Sequence, residues 1–274
     1  MKATSFKFSA AVLALSMVFS MGPSAASAGQ PAAAAQDKDK DKKQKVNKAE
    51  EAAYKNVVAA QGGDPNMEIQ VGEDFVTKFP MSQYVPGVYG MLTTAYFSTG
   101  NTDKMFASGA KALELNPNNV DVLALLSMAI PRREKPTMPD YAVQMKNAEQ
   151  YAHRTIELIP TLDKPATVDD ATFEKAKNDK LALAHSGLGL IDLNVKKDFE
   201  GARTELTQAV TLATSPDPVD FYLLGNADAQ DGYLNGAIAA FDKCAATGPL
   251  TTACKAREDA VKKDKDSGTK LSRD

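Results

Sequence analysis

"FYLLGNADAQDGYLNGAIAAFDKCAATGP" runs from Phe221 to Pro249. Leu224 and Gly225 stand together near its start, Gly232 interrupts it, Ala237 and Phe241 lie four apart, and Pro249 closes it. The stretch is helical in character but has no standard amphipathic stripe. Glycine stops a helix readily and proline commonly follows the stop, so Gly232 marks a turn between two helices and Pro249 the end of the second. The same intervals return elsewhere. Leu92 to Pro117 spans 25 positions, as does Leu224 to Pro249. Met105 to Pro117, Ala148 to Pro160 and Ala237 to Pro249 each span 12. A fixed distance from a slim residue to a closing proline marks an internal repeat.

Phe221, Leu224-Gly225, Ala237, Phe241 and Pro249 fall where the tetratricopeptide repeat family carries its aromatic, Leu-Gly, Ala, aromatic and Pro. Tyr89, Leu92, Tyr96, Gly100, Ala112 and Pro117 match in the same way; Ala202 and Leu206 carry a third copy, Ala148 and Pro160 a fourth. Residues 49–251 therefore resemble a tetratricopeptide repeat array of about five helix pairs. That resemblance implies an all-α fold, a right-handed α-solenoid of stacked helix pairs. One repeat cannot bury its own face, so copies must stack: glycine or alanine removes bulk where helices cross, and a neighbour's large side chain fills the gap. Asp228 departs from the pattern, standing where the family usually has an aromatic.

The closing prolines at 80, 117, 160, 216 and 249 are spaced unevenly, against a family period of about 34. Insertions account for the excess. "PRREKPTMP" (131–139) reads as a proline-braced loop inside the third copy. "TLDKPATVDDATFEKAKNDK" (161–180) reads as a loop and a helix extension, capped by Thr167 or Asp169 and running to about Asn194. After Pro249, residues 252–266 form a charged amphipathic helix of the kind that closes such arrays. Residues 267–274 read as a disordered, frayed tail.

The other end has a different character. Lys2 and Lys7 precede the apolar run Phe8–Met21, Pro23 breaks it, and Ala26–Ala28 offers small residues for cleavage. Residues 1–28 thus have the pattern of a secretory signal peptide cleaved after Ala28, with no lipoprotein cysteine following. No later apolar run is long enough to cross a membrane. Residues 29–48 alternate charges and lack large apolar groups, the composition of a disordered linker. The expected location is periplasmic or secreted. There the two cysteines, Cys244 and Cys254, suit a disulfide that links the last repeat to its cap.

Removing the leader takes away two lysines and no acids, so the formal charge falls from −3 to −5. That argues against nucleic acid, whose affinity comes from clustered basic residues. Catalytic constellations are absent. His153 and His185 are far apart and neither belongs to a helical zinc motif. Ser186 directly follows His185 and so points elsewhere on a helix. "GLGL" (187–190) lacks the third glycine of a dinucleotide loop and reads as helix packing. No cofactor, no metal site and no enzyme activity are expected.

The resemblance instead implies a concave groove lined by the first helix of each pair. By register it receives Gly87, Gly90, Thr94 and Phe97, then Asp121, Ala124 and Met128, then Ser186 and Leu190, then Val219, Tyr222 and Asn226. Thr94, Phe97, Asp121, Met128, Tyr222 and Asn226 are the candidate partner-binding residues. Asn226 matches the asparagine with which some family members grip a terminal carboxylate, but none of these positions carries the lysine or arginine of that clamp. The groove is neutral and partly apolar, suited to an apolar strand or amphipathic helix of a protein or peptide partner. The expected role is a non-catalytic adaptor or scaffold in the cell envelope. Self-assembly into a homo-oligomeric structural protein is the alternative.

Overall fold

The structure is a computed structural model describing residues 48–246, 248–269 and 272–274. The expected leader and all of the linker except Lys48 lie outside the described residues. Among them there is no strand. The helices are α1 (Lys48–Ala60), α2 (Pro65–Lys78), α3 (Val85–Ser98), α4 (Thr102–Leu115), α5 (Val120–Arg133), α6 (Tyr141–Leu158), α7 (Asp170–Ile191), α8 (Phe199–Leu212), α9 (Pro218–Asp231), α10 (Leu234–Ala245) and α11 (Thr251–Asp266). The chain is an all-α solenoid: each helix packs on its sequence neighbours, and buried clusters follow one another along the chain.

Local sequence sets the starts and stops. Asp64, Asn101, Asn119, Asp169, Asp198 and Asp217 each accept a backbone N–H of the helix they open. A side-chain oxygen at that position satisfies one of the four orphan amides of a first turn. Gly232 ends α9 at φ 86°, where an L side chain would be strained, and lets the chain reverse into α10.

The opening stretch is explained by packing. A Cβ on Gly225 would lie 2.7 Å from the Phe241 ring. The missing side chain is the slot that the fully buried Phe241 fills, beside the fully buried Ala237. Burying such a ring contributes roughly 1.5–3 kcal/mol. The same slim-against-bulky contact recurs at Gly72 against Leu92, Gly109 against Leu126 and Gly189 against Leu206. Ala202, Leu206, Leu223 and Ala227 carry the core from α8 to α9, and Ala229, Phe241 and Val261 carry it on to α11.

In three places the structure departs from an expectation or chooses between two. First, α5 does not stop at Pro131: the helix continues to Arg133, and the loop begins at Glu134. Proline lacks the N–H that would bond the Ser127 carbonyl, and its ring crowds that same carbonyl. That carbonyl faces α7, where Gly187 comes so close that a Cβ would lie 2.2 Å from its oxygen. Second, Asp169 and not Thr167 caps α7, by accepting the Thr172 N–H at 2.9 Å. Beyond Ile191 the helix passes into a π turn, Asp192–Lys196. Third, Ser272–Asp274, expected in a frayed tail, are bonded to the α9–α10 turn.

Candidate functional site

Two of the expected groove residues meet. Phe97, near the end of α3, and Met128, in the last two turns of α5, line one open pocket of about 200 Å³. Gly100, Met105 and Ala129 complete its apolar wall, and Arg132 and Arg133 stand at its edge. Phe97 is half-buried, whereas Met128 is 4% exposed, so Phe97 is the more accessible of the two. Thr94 lies one turn before Phe97 on α3, also half-buried. A second hollow, of about 550 Å³, lies between α4 and α6, where Leu113, Leu123 and Tyr151 are among its walls.

Arg132 anchors this region. Its guanidinium bonds Asp217 at 2.7 Å, Asp220 at 2.6 Å and Ser186 at 2.9 Å. Ser186 in turn donates to Asp220 at 2.6 Å. The four side chains join α5, α7 and α9, the first helices of three consecutive pairs. Burial alone would pull the Arg132 guanidinium down, but Asp220 and Asp217 outweigh it and hold it above its ordinary value. Burial pushes the Asp220 carboxyl up, against the opposing pull of Arg132 and Ser186. One group is left over: Arg132 Nε is buried without a hydrogen-bond partner. Arg133 is different. It pairs with an exposed Asp103 at 2.9 Å and lies over the Phe106 ring.

The remaining expected residues do not join the Phe97–Met128 pocket. Asp121, at the start of α5, is bound by Lys180 at 3.0 Å. Ala124 is fully buried and Leu190 sits in the core between α7, α8 and α9. Tyr222 packs edge-on against Phe241, with ring centres 5.9 Å apart. Asn226 Oδ1 accepts two bonds from Arg257 of α11, at 2.7 and 3.1 Å. These last two side chains thus face the final helices, whose packing the register alone did not reveal. Cys244 and Cys254 lie at disulfide distance, with their Cα atoms 5.9 Å apart.

His185 and Ser186, adjacent in sequence, serve different neighbours. His185 Nδ1 meets Glu205 of α8 at 2.6 Å, while Ser186 faces Asp220. Asp228, the departure from the repeat pattern, is buried beneath the start of α10. Its carboxyl is pushed up to about 6, chiefly by burial; Arg203 opposes the shift, and Asp274 and Asp231 add to it. Among the described residues no group of His, Cys, Asp or Glu is placed to hold a metal ion. No helix among them is long and apolar enough to cross a membrane.

Sequence reasoning missed Arg132 and Arg133. The signal was present: Arg132 follows Met128 by four residues and shares its helix face once α5 is known to run through Pro131.

No model of a known protein family matches this sequence, and no curated protein matches it. Among solved structures, the chain is similar to a thermophilic TPR protein of Thermus thermophilus, at a TM-score of 0.47 and 16% identity. The match covers 77% of this chain and 98% of that one. The chain's own geometry is that of an all-α solenoid in which a glycine at a helix crossing receives a neighbour's large side chain, as Gly225 receives Phe241.

Proposed function

We propose that this chain is an exported, non-catalytic interaction protein that seats an apolar side chain of a protein or peptide partner between Phe97 and Met128. The observation that carries the reading is the open apolar pocket those two residues line with Met105 and Ala129. Apolar clefts with a few polar groups at one edge are the usual form of a recognition site, and a buried aromatic is the usual anchor. Thr94, half-buried one turn before Phe97 on the same helix, supplies complementarity beside the anchor.

The test uses the full chain as bait on cell-envelope extract, followed by affinity measurement with the protein it retains. Phe97→Ala is expected to weaken that binding at least tenfold, as loss of a ~1.4 kcal/mol anchor would. Its helicity is expected to be unchanged. Undiminished binding would move the site to the α4–α6 hollow or to the loop after Arg133. Light scattering at several concentrations identifies the alternative occupant: a mass that rises with concentration and falls back in Phe97→Ala would make the partner a second copy of the chain.

Export and the oxidised state of the cysteines belong to the same proposal. Mass spectrometry of the exported protein, alkylated without reduction, checks both. The expected mass is that of a chain beginning at Gly29 with no alkylated thiol. Two alkylated thiols would remove the bridge. Reduction is expected to destabilise the protein by about 2–3 kcal/mol, the modest value proper to a short loop.

A further inference from the structure

The first turn of α10 is capped from a distance. Tyr233 precedes the helix and supplies no side-chain cap. Its amides are instead met by residues beyond α11. Leu234 N–H donates to Ser272 Oγ at 3.1 Å, Asn235 N–H to Asp274 Oδ1 at 3.1 Å, and Gly236 N–H to Asp274 Oδ2 at 2.8 Å. The Asp274 carboxylate thus spans two consecutive amides at the positive end of a helix, where a negative charge is favoured. Burial would raise that carboxyl, but Ser272 and the two amides outweigh it and lower it.

Arg273 binds the other side of the same turn. Its N–H donates to Gly232 O at 2.8 Å. Its guanidinium donates to Asp231 at the backbone oxygen (2.9 Å) and at Oδ1 (2.6 Å). It also lies 5.0 Å from the centre of the Tyr233 ring, which Arg203 contacts at 4.2 Å. A carboxylate with an aromatic beside it is a receptor for a guanidinium, and charge-assisted bonds of this kind are among the stronger ones. The two halves of the turn therefore recognise opposite charges on adjacent residues, cation first and anion second.

We propose that the α9–α10 turn is a recognition site for an Arg-Asp segment and that this chain's own Arg273–Asp274 is its ligand. The site does not depend on the groove reading. Its consequence is for the cap. Cys254, in the first turn of α11, lies against Cys244 of α10, and the segment beyond α11 returns to the start of α10. α11 is thereby held at both ends, and Val261 stays over the Phe241 layer.

Amide hydrogen exchange on the full chain tests this. In Arg273→Ala/Asp274→Asn, protection at Asn235 and Gly236 is expected to fall about fivefold, the exchange equivalent of a lost helix cap. Protection at Leu206 in α8 should not change. Added synthetic Thr-Lys-Leu-Ser-Arg-Asp should restore it, and the peptide with Arg and Asp exchanged should not. Equal exchange in the variant and the parent would overturn the proposal. So would equal rescue by both peptides, or a loss of protection that spreads to Leu206 and that no peptide reverses.

Discussion

Replacing Arg132 with alanine is expected to cost the protein about 3–5 kcal/mol, because it leaves two carboxylates without their counter-charge inside the array. Arg132 and Asp220 are only 11% and 9% exposed at the side chain, so water does not substitute for the lost partner. Asp217, 27% exposed, is the less affected of the two. The bonds tie α5 to α9 and to Ser186 of α7, so the loss should appear as a lower midpoint in denaturant across the whole array. Arg133→Ala is the control. Its partner Asp103 is 90% exposed, and such surface pairs contribute about 0–1 kcal/mol. If the two variants unfold at the same denaturant concentration, the Arg132 network does not brace the three helix pairs. Arg132→Met with Asp220→Leu should recover part of the loss, since a buried ion pair replaced by well-packed apolar groups of similar size is often tolerated.

The difference between these neighbouring arginines was not legible in the sequence. Both sat in "PRREKPTMP", where the prolines read as a loop. Pro131 costs the helix the hydrogen bond to the Ser127 carbonyl, yet α5 runs through it to Arg133. Asp217 and Asp220 lie 85 and 88 positions away, beyond any local pattern. By contrast, the Gly225–Phe241 interlock was legible because both residues belong to one helix pair and the spacing repeats. The candidate groove was legible in part. Phe97 and Met128 converge from successive first helices, α3 and α5, with Phe97 one turn further along its helix than Thr94, the register equivalent of Met128, whereas Tyr222 and Asn226 lie at the final pair, where α11 takes the place of a further repeat. The docking of Ser272–Asp274 had no signal at all: a short polar segment gives no periodicity, and its partners lie near 232–236.

The second large effect is expected at Gly187. A methyl group there would lie 2.2 Å from the Ser127 carbonyl oxygen and 2.7 Å from its carbon. Both atoms belong to the backbone of α5, so no side chain can rotate out of the way. Accommodating Gly187→Ala requires α5 and α7 to move apart, which also strains the Arg132–Ser186 bond one residue earlier on α7. Overpacking of a close crossing costs typically ~1–3 kcal/mol and occasionally more; with backbone on the opposing side, the loss should reach about 3 kcal/mol. Gly87→Ala separates this contact from ordinary helix propensity. Gly87 is also inside a helix, α3, but nothing lies within 4 Å of the position its Cβ would take. There alanine should stabilise by about 0.5–1 kcal/mol, through the lower chain entropy of the unfolded state. Thermal melts of the two variants should therefore move in opposite directions. A Gly187→Ala protein that melts at or above the parent temperature would mean that α5 and α7 do not cross this closely in solution.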